Sequence, residues 1–172
     1  GVHLINYRLL ELAEKAYLKG QKSYGESFFI ELADLYRVWG KKDKMLAAYL
    51  DMLAYVNPQY HENELSEIQG RMGDDVTEPE DFAVLEQLVY QYLQKYPSQI
   101  AYNEMLIWLY LQQKEFNKAF IQAKAIDRRL GAEGMKILEI ANMSFENNAY
   151  NDAVKIYSYI VEKYPNSGFT YM

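Results

Sequence analysis

Phe116-Asn117-Lys118-Ala119 returns as Tyr150-Asn151-Asp152-Ala153, and the two alanines stand 34 residues apart. Gln94-Lys95-Tyr96-Pro97-Ser98 returns as Glu162-Lys163-Tyr164-Pro165-Asn166, with the prolines 68 residues apart, twice that period. A single globular fold has no physical reason to repeat at a fixed interval. An array in which each unit covers the apolar face of its neighbour does.

Within a period the apolar spacing is helical. Ala153, Tyr157 and Ile160 form one stripe, and Ile137, Ile140, Ala141 and Ser144 form another just upstream. The polar run Glu146-Asn147-Asn148-Ala149 between them reads as the turn of a helical hairpin, and Pro165 ends the second helix. The same hairpin is expected from Ile100–Gln113 with Glu115–Leu130, closed by Gly131. It is expected again from Phe28–Trp39, Gly40, and Lys42–Val56 before Pro58. Between these two the register slips, because Pro58 and Pro97 are 39 residues apart. The extra length is assigned to a loop over residues 71–78, after a short helix near Glu62–Gly70. Thr77 with Glu80 reads as a capping box opening the helix that runs to Tyr96. His3–Leu18 predicts one further helix closed by Gly20.

The whole chain, 1–172, is therefore expected to be one helical-repeat domain. Its parts are a leading helix (1–20), a repeat (26–58), an irregular repeat with a shortened first helix (61–97), and two further repeats (99–131 and 132–165). Residues 167–172 read as the start of another, so the chain is expected to be part of a longer array.

This pattern resembles the tetratricopeptide repeat (TPR) family, most clearly from residue 79 onward. Ala33 and Ala141 match the small residue late in the first helix, and Ala119 and Ala153 the one early in the second. Leu32, Tyr36, Tyr49, Leu106, Tyr110 and Tyr157 match the large flanking positions, and Pro58, Pro97 and Pro165 the closing proline. Ile107 and Met45 depart from the pattern, standing where the family prefers something small. The resemblance implies an all-α fold, a right-handed α-α superhelix of hairpins. It also implies a non-catalytic scaffold that binds a peptide segment or partner domain on its concave face. Carried over position by position, the ligand-facing residues are Ser27, Ile30, Asp34, Arg37 and Val38, then Ala101, Glu104, Trp108, Leu111 and Gln112, then Met135, Leu138, Asn142, Phe145 and Glu146. Trp108 and Phe145 could instead pack on the neighbouring hairpin and never meet a ligand.

Composition narrows the classes. The net charge of −6 repels phosphate backbones on average, so no nucleic acid is expected as partner. With no cysteine there is no disulfide or thiolate chemistry, and both a cytoplasmic and a periplasmic or envelope setting fit. No run of about 18 apolar residues occurs, so direct membrane insertion is not expected. Seventeen tyrosines suit thin helical layers, where a ring packs and a hydroxyl meets water.

Few residues invite chemistry. His61-Glu62-Asn63-Glu64 reads as a solvated helix start more readily than as a metal site. Asp74, Asp75, Glu78, Glu80 and Asp81 crowd one loop, yet lack the spacing of a calcium loop. Lys41, Lys42 and Lys44 could meet an anion, as could Arg128 and Arg129, though the last two also suit a helix C-terminus. No phosphate loop, dinucleotide fingerprint or nucleophile elbow appears, so neither catalysis nor a cofactor is expected. The alternatives to a scaffold are the spacer arm of a larger enzyme or envelope assembly (one linked to outer-membrane transport included) and an RNA-binding helical repeat.

Overall fold

The computed structural model describes residues 2–24, 27–57, 61–131 and 134–168. Among them the chain is all-α, with nine helices and no strand. They are α1 (Val2–Tyr24), α2 (Phe29–Trp39), α3 (Lys42–Tyr55), α4 (His61–Asp75), α5 (Pro79–Lys95), α6 (Ala101–Gln112), α7 (Phe116–Leu130), α8 (Met135–Glu146) and α9 (Tyr150–Lys163). They fall into two compact units, Gly1–Gln99 and Ile100–Met172. Pro58, which was expected to end a helix, and most of the expected further repeat, residues 169–172, lie outside the described residues.

Three hairpins close in the same way. The amide of Lys41 donates to the Tyr36 carbonyl, that of Glu115 to Tyr110, and that of Ala149 to Ser144, at 2.8–2.9 Å. In each, the residue before that donor is left-handed: Gly40 at φ 72°, Lys114 at 57° and Asn148 at 61°. This closure satisfies carbonyls that the helix end leaves open. The repeat seen in side chains is thus also a repeat of backbone geometry, held even where lysine must adopt a conformation it disfavours.

Packing in the two units is alike in part. In the first unit α2 pairs with α3, and α3 also touches α4 and α5; α1 lies on α2. In the second unit α6 pairs with α7, α7 touches α8 and α9, and α8 pairs with α9. The second helix of a hairpin therefore touches both helices that follow it. Those two pair closely in the second unit (α8 with α9), whereas among the described residues α4 and α5 do not in the first. The small residues are buried where helices pair: Ala33, Ala119 and Ala141 are fully enclosed and Ala153 is 2% exposed. Leu32, Tyr36, Tyr49, Leu106 and Tyr110 are buried too.

Two helices run farther than their sequences suggest. α1 continues through Gly20 to Tyr24, so Gly20 is not a cap. Its role is close approach: a Cβ there would stand 2.8 Å from the Phe28 ring. Likewise α4 is a full helix to Asp75 rather than a short one followed by a loop. Leu65, Ile68 and Met72 are buried on one side, extended by Val76, and this stripe outweighs the cost of about 1 kcal/mol each for Gly70 and Gly73.

The cap of α5 sits one residue later than Thr77–Glu80 suggests. Glu78 is the N-cap, Pro79 the first helical residue, and Asp81 the residue that reaches back. The Asp81 carboxylate accepts from the amides of Thr77 (3.3 Å) and Glu78 (3.2 Å) and pairs with Lys42 Nζ at 2.7 Å. Lys42 first, then those two amides, hold its pKa below the usual aspartate value against the opposing effect of burial. Its stabilisation is therefore present above the unfolded-state pKa of about 4 and is lost as pH falls through the lower folded value. Asp81→Asn is expected to lower stability by about 1 kcal/mol at pH 7, with the gap in Tm closing in strong acid. Melts of both proteins across pH check this; a gap that persists unchanged in acid would contradict it.

Candidate protein-binding surface

The first helices of the hairpins carry the residues assigned to partner binding. α6 is apolar nearly all round, and eight of its twelve residues are buried. The four that are not are Glu104, Trp108, Leu111 and Gln112. They lie at i, i+4, i+7 and i+8, one stripe down one side of the helix. Ala101, assigned to the same set, is fully buried and cannot reach a ligand.

On α8 the buried side is Ile137, Ile140, Ala141 and Ser144, and the Ser144 hydroxyl donates to the Ile140 carbonyl at 2.8 Å. Met135, Leu138, Asn142 and Phe145 follow the other side at helical spacing. Met135 is 54% and Phe145 57% exposed, and Glu146 is exposed beside them. Phe145 meets Tyr150 edge-on with centroids 5.7 Å apart, so it is held in place rather than loose. Asn142 accepts from the Tyr157 hydroxyl at 2.6 Å. Phe145 therefore packs in part on its own hairpin and still leaves over half its surface open.

The α2 positions behave differently. Ser27 and Val38 are exposed and Ile30 half-buried, but Arg37, though exposed, is engaged by other residues of the chain. Its Nε lies 3.1 Å from both Asp75 oxygens, its Nη2 donates to Asp75 Oδ2 (2.7 Å) and to the Tyr49 hydroxyl (2.6 Å), and its Nη1 to Asp34 Oδ1 (2.5 Å). This bidentate arrangement ties α2 to α3 and α4. The Asp75 bond, foremost, raises the guanidinium pKa still further. Asp34 also faces Arg71 at 3.7 Å, so Asp34 and Arg37 act as one internal clamp.

The charged clusters are similarly engaged. Asp75 and Asp81 of the acidic stretch are bound by Arg37 and Lys42. Lys44 pairs with Glu14 at 2.7 Å, and Lys41 lies 3.2 Å over the Trp39 ring. Glu14 also accepts from the Tyr36 hydroxyl at 2.8 Å; Lys44 first and then Tyr36 hold its pKa below the usual range. His61 opens α4 as expected, but is buried rather than solvated. Arg129, near the C-terminus of α7, reaches Asn103 at 3.5 Å. Among the described residues no group of three or more His, Cys, Asp or Glu could hold a metal, and no helix is long and apolar enough to cross a membrane.

Two features gave no sequence signal. Asp127 joins the ends of three helices in the second unit, and a concavity in the first unit is walled by α1, α3 and α5. Both assemble residues far apart in the chain. No family model matches this chain, and neither characterised proteins nor solved structures give a match.

Proposed function

We propose that the chain is a TPR-like array, each unit a stretch of right-handed superhelix, acting as a non-catalytic scaffold for a protein or peptide partner. Three observations support the array: the 34-residue period, the common hairpin closure, and the contact of α3 and of α7 with the two helices that follow each. The observation that carries the function is α6, a helix buried everywhere except along Glu104, Trp108, Leu111 and Gln112. With Met135, Leu138 and Phe145 on α8, it offers apolar anchors edged by Glu104, Asn142 and Glu146. A half-buried tryptophan is prepaid in conformational entropy and adds contact area when a partner covers it. Because Asp34 and Arg37 are paired with each other and with Arg71 and Asp75, the binding surface is assigned to the second unit.

The test is capture of partners from the source cell by the parent protein and by Trp108→Ala and Phe145→Asp variants shown by circular dichroism to stay folded. Each variant is expected to lose about 2 kcal/mol or more of affinity, roughly thirtyfold, for the partner the parent holds. Equal retention by both variants would remove this surface from consideration.

A further inference from the structure

The first unit holds an open cleft of about 690 Å³, in the range of ligand sites. Its walls come from Leu18, Gln21 and Lys22 of α1, Phe29 of α2, Asp51 and Tyr55 of α3, and Lys95 of α5. A narrower crevice of about 190 Å³ continues from it, sharing Leu18, Gln21, Phe29 and Asp51 and reaching Leu32 and Ala48. Sharing these residues, the two form one channel, mixed in character in the cleft and mostly apolar in the crevice, whose lining also includes Tyr36 and Lys44, the latter paired with Glu14.

The polar groups in this channel are of both kinds. Gln21 Nε2 is a buried donor with no hydrogen-bond partner, a rare and costly condition in a folded protein. Asp51 accepts from the Tyr92 hydroxyl at 2.7 Å, and a carboxylate has capacity for further donors. Lys22 and Lys95 stand exposed at the mouth, with Lys95 Nζ 4.9 Å from the Tyr96 ring centroid. Tyr96 foremost raises the Lys95 pKa, so its charge is secure at neutral pH. Phe29 and Tyr55 stack at 5.7 Å and 19°, giving a flat apolar wall.

We propose that this channel binds an extended acidic peptide segment that carries a large apolar side chain. A peptide supplies every complement at once. A backbone carbonyl answers Gln21 Nε2 once that amide turns out of its enclosed position, a backbone N–H answers Asp51, an acidic side chain meets Lys22 and Lys95, and the apolar side chain enters past Phe29 toward Leu32. A simple anion would leave the crevice empty and face Asp51 with nothing to donate. The overall charge of −6 does not oppose this, because screening over about 8 Å at physiological salt leaves the local charges in control, Lys22 and Lys95 against the single carboxylate of Asp51. The site belongs to the first unit and chiefly to second helices, so it stands independently of the α6 and α8 surface.

The test is a titration of ¹⁵N-labelled protein with an acetylated, amidated hexapeptide alternating glutamate and phenylalanine. The glutamine counterpart and phenylacetate are run beside it. Saturable shifts are expected at residues 18–22 and 51–55, weakened about tenfold or more by Lys22→Glu with Lys95→Glu, both exposed positions. Gln21→Leu is expected to raise Tm, by removing an unsatisfied donor, while weakening the peptide; a purely structural glutamine would leave binding unmoved. No shifts at millimolar peptide, equal affinity for the glutamine peptide, or shifts centred on α6 and α8 would overturn the proposal. Phenylacetate binding as tightly as the hexapeptide would overturn the assignment to a peptide. Capture lost in Phe145→Asp while this titration is unchanged, or the reverse, separates the two sites.

Discussion

Asp127→Ala is expected to lower stability by about 3 kcal/mol, a fall of roughly 6–12 °C in Tm for a chain of this size. Asp127 is 8% exposed in the last turn of α7. Its Oδ1 accepts the Gly134 amide at 2.8 Å at the start of α8, and its Oδ2 accepts the Tyr164 hydroxyl just beyond α9. One carboxylate thus fastens three helix ends. Gly134 has no room for a side chain, since a Cβ would stand 2.7 Å from the Tyr164 ring, and its φ of 83° suits glycine. Alanine at 127 leaves a buried amide without its acceptor and removes the carboxylate that accepts from the Tyr164 hydroxyl. Tyr164→Phe removes only one of the two bonds and is expected to cost less, about 1 kcal/mol. Thermal or urea melts of both variants check the order. An Asp127→Ala protein within about 0.5 kcal/mol of the parent would show that the ends of α7, α8 and α9 are held by packing alone.

Long, strongly periodic helices were legible, and their joints were less so. α2, α3, α6 and α7 begin and end within a residue of their expected limits, and α8 and α9 meet at the expected turn, because apolar stripes and turn residues agree there. The errors fall at Gly20, Gly70 and Gly73, where glycine in the sequence signals an end. Tertiary contacts decide otherwise: Phe28 lies against Gly20, while burial of Met72 and the Arg37–Asp75 bond carry α4 past its glycines. The α6 set follows from the resemblance, position by position; four of its members share one unburied side because spacing within a single helix fixes that, while Ala101 is buried. The commitment of Arg37 was not legible, since Asp75 stands 38 residues away. The cleft was not legible for the same reason, drawing on α1, α3 and α5 at once.

Ala153→Leu is expected to cost about 1–3 kcal/mol by overpacking the α8–α9 hairpin. Ala153 is the fourth residue of α9, 2% exposed, and Ala119 is the fourth of α7, fully buried. At the fourth position of α3 stands Met45, 1% exposed, so the α2–α3 hairpin accommodates a long side chain at the same place. The hairpins therefore share a closure but not a spacing: an unbranched methionine fills the first, and the last leaves space for a methyl group. Val154→Leu, one residue on and 66% exposed, is the control and is expected to stay within about 0.5 kcal/mol of the parent. Melting both variants separates added volume at a close contact from added volume on the surface. If Ala153→Leu melts with its control, the α8–α9 contact is as wide as the α2–α3 contact. Alanine there would then reflect no close approach, and one of the residues supporting the TPR resemblance would lose its physical meaning.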